Sequence, residues 1–148
     1  MRAHNLIIGG IEIALDAAHE LTQTYEPLGG RTLLRMMDGT GLQQVQWRKL
    51  RTVITASGRL PEGLSGLDYD NPIDIHCAAP RSLGSVSNAI TLPANRRTDW
   101  APHGYAVVNG RQVRTDATLA GHVLTLSAVS GASAYVATYY PVLTTYAA

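Results

Sequence analysis

The feature that most restricts this fold is a period-two alternation of apolar and polar residues, in short runs that glycine or proline stops. Ile73, Ile75 and Cys77 alternate with Asp74 and His76, and Leu124, Leu126 and Ala128 alternate with Thr125 and Ser127. Successive side chains of a strand point to opposite faces, so each run predicts a half-buried strand. Ile11, Ile13 and Leu15 repeat the pattern behind Gly9-Gly10, a pair suited to a tight hairpin turn. A helix over 11–21 competes there because Ala17, Ala18, Glu20 and Leu21 favour one; the alternation favours the strand.

Further runs predict strands at 22–26, ending at Pro27, at 31–37, closed by Asp38-Gly39, at 42–47 and at 50–57. Residues 58–71 read as a long loop. Residues 81–102 read as a connector with one short strand at 89–92. Asn109-Gly110 between 105–108 and 111–114 predicts a type I′ hairpin, because both residues accept positive φ. The runs 122–129 and 134–140, joined by Ser130-Gly131-Ala132, are expected to pair as antiparallel neighbours. The expected fold is all-β: one antiparallel sandwich or barrel-like domain over 1–148, with long loops and an extended terminal arm at 143–148. Two lobes, 1–80 and 103–148, joined by the connector, are the alternative arrangement.

Composition narrows the function. Charged residues are 16% of the chain and the formal net charge is +1, so no global basic field attracts nucleic acid. Lys49 is the only lysine among twelve basic residues. Arginine is enriched and lysine depleted at interface cores, although arginine-favouring codon usage gives the same bias. Cys77 is the only cysteine, which excludes an intrachain disulfide. Residues 1–10 lack a signal-peptide core and no apolar run has membrane-span length, so a chain made in the cytoplasm, with no membrane partner, is expected.

The chemical motifs are weak. His4, His19, His76, His103 and His122 are scattered without metal-ligand spacing. His76 and Cys77 fall on opposite faces of a strand, which is wrong for a Cys–His nucleophile pair. Asp68-Tyr69-Asp70-Asn71 carries oxygen ligands but lacks the regular calcium-loop spacing, and before Pro72 it reads better as a turn. Phosphate, dinucleotide and serine-elbow motifs are missing. No catalytic residue, metal site or cofactor is therefore assigned. An enzyme would need a cluster assembled by the fold, such as Asp68, Asp70, His76 and His103. Arg96, Arg97, Trp100, Tyr139 and Tyr140 are the candidate contact residues, since Arg, Trp and Tyr dominate interface energetics. Tyr135, Tyr139 and Tyr140 read equally as a partner platform or as the edge of a core.

The stretch from His19 through Thr22-Gln23-Thr24-Tyr25-Glu26-Pro27-Leu28-Gly29-Gly30, continuing in Leu34-Arg35-Met36-Met37-Asp38-Gly39 and Trp47-Arg48-Lys49-Leu50-Arg51-Thr52-Val53-Ile54, resembles small structural proteins of tailed bacteriophages. The likeness extends to Ala79-Pro80-Arg81 and covers residues 1 to about 80. It implies a virion subunit from a tail tube or baseplate ring, made in the host cytoplasm. Its partners would be copies of itself and neighbouring tail proteins, without specific nucleic-acid binding. Strand augmentation, the loops 58–71 and 81–102, and the arm 143–148 would make the contacts. The resemblance carries no defined site residues. A carbohydrate- or receptor-binding β-sandwich using Trp47, Trp100 and the tyrosines is the alternative function.

Overall fold

The computed structural model describes residues 5–13, 19–58 and 63–146. Expectations for His4, for residues 14–18 and 59–62, and for the last two residues of the terminal arm lie outside them.

Thirteen strands account for most of the described chain. They are β1 (Ile7–Ile8), β2 (Ile11–Glu12), β3 (His19–Arg35), β4 (Gly41–Ser57), β5 (Ile73–His76), β6 (Arg81–Ser85) and β7 (Ala89–Thr91), followed by β8 (His103–Val108), β9 (Arg111–Thr115), β10 (Ala117–Ala120), β11 (Val123–Leu126), β12 (Ala132–Tyr139) and β13 (Val142–Thr145). Every pairing is antiparallel. Among the described residues there is no α-helix, only a 3-10 turn at Leu64–Gly66, and no helix is long and apolar enough to cross a membrane. The chain is an all-β protein, as the alternation predicts.

Two compact units form. One holds the described residues of 1–18 and 59–148; the other is His19–Gly58. The larger unit contains three sheets, ordered β6-β12-β8-β9, β10-β11-β7 and β13-β5-β1-β2. The first two face each other across a core of Ala106, Tyr135, Ala137 and Tyr139 on one side and Ile90, Leu92, Leu124 and Leu126 on the other. Leu126 packs so closely on Gly104 of β8 that a Cβ there would lie 2.7 Å from Leu126 Cδ1 and 3.0 Å from the Val136 carbonyl. In the third sheet, Ile73, Ile75 and Cys77 turn inward and are buried with Leu6 and Ile13, while Asp74 faces out.

Several connections differ from those expected. The runs joined by Ser130-Gly131-Ala132 do not pair: β11 joins β7 and β10, whereas β12 joins β6 and β8 in the opposing sheet. Placing them in facing sheets lets Leu124 and Leu126 bury against Tyr135 and Ala137, which flat pairing within one sheet would not do. The expected connector 81–102 contributes two strands, β6 and β7. The expected arm becomes β13, which pairs with β5 from Val142–His76 to Thr145–Ile73. Pro27 does not end its strand; it sits inside β3 opposite Leu50, tolerated because both strands of a two-stranded ribbon are edge strands.

The β8–β9 hairpin forms as expected, with Asn109 at φ 51° and Gly110 at φ 75°. A Cβ on Gly110 would meet nothing within 4 Å, so only the backbone conformation opposes a side chain there. Gly110→Ala is expected to cost about 1 kcal/mol, the usual penalty for an L-residue in the left-handed region, read by chemical denaturation.

Candidate functional site

The smaller unit is one long hairpin. Its two strands are 17 residues each, roughly 55 Å of ribbon at about 3.3 Å per residue. Cross-strand pairing runs from His19–Ser57 to Arg35–Gly41, with register shifts at His19/Thr22 and Gly30/Arg31. The tip is built locally: Asp38 Oδ1 accepts the Thr40 N–H at 2.9 Å, Gly39 N–H donates to Met36 O at 2.9 Å, and Gly39 has φ 82°. Hydrogen bonds to its carboxylate hold Asp38 below the usual carboxylate range, so the apex carries a charge at neutral pH.

The outer half of the hairpin has no packed face. Except for half-buried Gly30, every residue from 26 to 49 is exposed. Leu33 is 66% exposed, and Leu34, Met36, Met37, Leu42, Val45 and Trp47 are exposed large hydrophobics. Cross-strand partners share a face. Leu34 and Leu42 therefore lie together on one face, while Val45 lies opposite Arg31 on the other face with Leu33. The tip is apolar on both sides. Trp47 lies over Gly30, where a Cβ would be 2.9 Å from the indole Cδ1, so the ring covers bare glycine backbone. The outer edges of both strands are unpaired in this two-stranded sheet. A two-stranded ribbon without a covered face is marginal alone, and an exposed edge is a template for another strand.

The five contact residues chosen from sequence occupy a different place. Backbone pairing brings three of them together: Arg97 N–H donates to Tyr140 O at 2.7 Å, and Arg96 bridges Pro141, flanked by the Val142 N–H donating to Asn95 O at 2.9 Å. Two of them face inward, which corrects their assignment as surface contacts. Tyr139 is 5% exposed in the sandwich core. Arg97 is 3% exposed; its Nε and Nη2 donate to Asp99 at 3.0 and 2.6 Å, and its Nη1 donates to Asn5 O at 2.5 Å and Cys77 O at 3.1 Å. Its fork thus ties three chain segments. Arg96 Nη2 donates to Gly121 O at 2.8 Å. Arg96, Trp100 and Tyr140 are half-buried, and burial raises the Tyr140 hydroxyl above the ordinary tyrosine range. Tyr135 is also a core residue, so two of the three platform tyrosines, Tyr135 and Tyr139, belong to the interior.

Cys77 is fully buried. Asp68 accepts from the Asp70 N–H at 3.0 Å and from Asn71 Nδ2 at 2.6 Å, the turn geometry expected of this sequence. Among the described residues no group of three or more His, Cys, Asp or Glu side chains is arranged to hold a metal. The hairpin tip was missed because 31–37 and 42–47 each read as an ordinary short strand; the apolar residues crowded around Asp38-Gly39 were the available signal. Comparison with known protein families, with curated proteins and with solved structures finds no match.

Proposed function

We propose that this chain is a structural subunit of a bacteriophage tail, in the tube or a baseplate ring, and that it acts by assembly. The observation that carries this reading is the long hairpin, whose tip exposes apolar side chains on both faces and whose edges are unpaired. Such an element gains stability only when neighbouring subunits cover it. The resemblance to tail structural proteins, which covers residues 1 to about 80, includes this element, and that supports the phage context.

The test is at the tip. Leu33→Asp with Leu34→Asp and Leu42→Asp places charges at exposed positions, where substitutions usually change stability by less than about 0.5 kcal/mol. The parent chain is expected to assemble and the variant to remain monomeric, measured by light scattering on a sizing column with electron microscopy of the peak. A variant that assembles like the parent would overturn the reading.

A further inference from the structure

The hairpin has one cationic face. Arg31, Leu33 and Arg35 alternate along β3 and so share a face, opposite Val45, Gln43 and Gly41. Arg48 lies across from Gly29 on that face; a Cβ on Gly29 would be 4.0 Å from Arg31 Nε. Glu26 points the other way and meets Arg51 at 3.7 Å, and Asp38 sits in the turn. The face therefore shows three exposed arginines around Leu33 and Val45, with no carboxylate among them.

The outer face of the β13-β5-β1-β2 sheet is its counterpart. Pairing puts Val142 and Ile7 beside His76, Thr144 beside Asp74, and Glu12 beside Ile7. Asp74 and Glu12 are exposed, and Ile7 and Val142 are half-buried. Thr144 Oγ1 donates to Asp74 Oδ1 at 2.5 Å, and Asn5 Nδ2 donates to Glu12 Oε1; neither carboxylate meets a basic side chain among the described residues. Two carboxylates thus flank Ile7, His76 and Val142, as three arginines flank Leu33 and Val45 on the hairpin.

We propose that the Arg31, Arg35 and Arg48 face of one copy's hairpin docks on the Asp74 and Glu12 face of a second copy's four-stranded sheet. This rests on the assembly reading and names its partner. The contact joins two different surfaces, so it propagates head to tail and closes into a ring or extends as a filament. Opposite charge sets the register and excludes like faces.

The experiment uses two full-length variants. One carries Arg31→Glu, Arg35→Glu and Arg48→Glu; the other carries Glu12→Arg and Asp74→Arg. Circular dichroism and melting temperature check that each folds, and Glu12→Gln with Asp74→Asn replaces the second variant if reversal unfolds the sheet. By sedimentation velocity, each reversal variant alone is expected to associate at least about tenfold more weakly than the parent. An equimolar mixture is expected to recover association, because the reversed hairpin of one variant then meets the reversed sheet face of the other, and the two unreversed faces meet in the same way. The neutral variant alone is expected to associate more weakly, and its mixture with the hairpin variant to recover only a pairwise contact, its own hairpin on the unreversed sheet face, and not a longer assembly. Parent association should also weaken as salt screens the charges. Folded variants that associate like the parent, or reversal variants whose mixture stays dissociated, would overturn this contact and leave assembly through other surfaces standing. A parent chain that stays monomeric at every concentration would overturn both this contact and self-assembly.

Discussion

Arg97→Ala is expected to destabilise the larger unit by about 3 kcal/mol, a large share of the 5–15 kcal/mol typical of a domain. The charged hydrogen bonds from Arg97 to the Asn5 and Cys77 carbonyls are lost, and a hydrogen bond to a charged group contributes about 1.5–3 kcal/mol. The loss stays below the extreme for a broken buried ion pair because the Asp99 side chain is 50% exposed and water can solvate it. Chemical denaturation of the parent and variant gives the difference directly. A change under about 1 kcal/mol would mean the fork is not holding these segments. Acid titration gives an independent reading of the same pair. Hydrogen bonds from Arg97 hold the Asp99 carboxyl below its ordinary value of 3.8, against an opposing effect of burial. A depressed folded value means the contribution is complete above 3.8 and fades as pH falls through the lower folded value. The stability difference between parent and Asp99→Asn should therefore be constant near neutrality and shrink below that point.

The second large effect is in the sandwich. Leu126→Ala is expected to cost about 2–5 kcal/mol, because a fully buried leucine leaves both its transfer energy and a cavity behind. Gly104→Ala is expected to cost about 1–3 kcal/mol for the opposite reason, since the new methyl would overlap Leu126. The two defects are complementary: the added methyl occupies part of the space the shortened side chain vacates. The double variant should be less destabilised than the sum of the singles, with a coupling of about 0.5–3 kcal/mol. Simple additivity in denaturant titrations would show that Gly104 and Leu126 are not in contact. The backbone of Val136, 3.0 Å from the added carbon, limits how complete the rescue is.

Local patterning was enough to identify most of the strands, but not β6 or β10. Ile73, Ile75 and Cys77 lie inward and Asp74 outward because the period is two, whatever sheet receives them. Asn109-Gly110 marked its turn because the two residues tolerate positive φ wherever they stand. The aromatic and arginine candidates were less well placed. Tyr139 alternates correctly for either a core edge or a surface platform, and only the sheet packed against it settles the choice. Arg97 was legible as an interface residue by type, but its burial depends on carbonyls that lie 20 and 92 residues away in sequence.

The sequence by itself determined that the chain is all-β, where most strands begin and turn, and which side of each strand is apolar, because these follow from nearest neighbours and backbone torsion. Tertiary structure alone decided which strands pair, that β11 and β12 face each other across a core, and that 19–58 forms one long hairpin whose outer half is exposed. Those outcomes depend on contacts between residues far apart in the chain, and no local period encodes them.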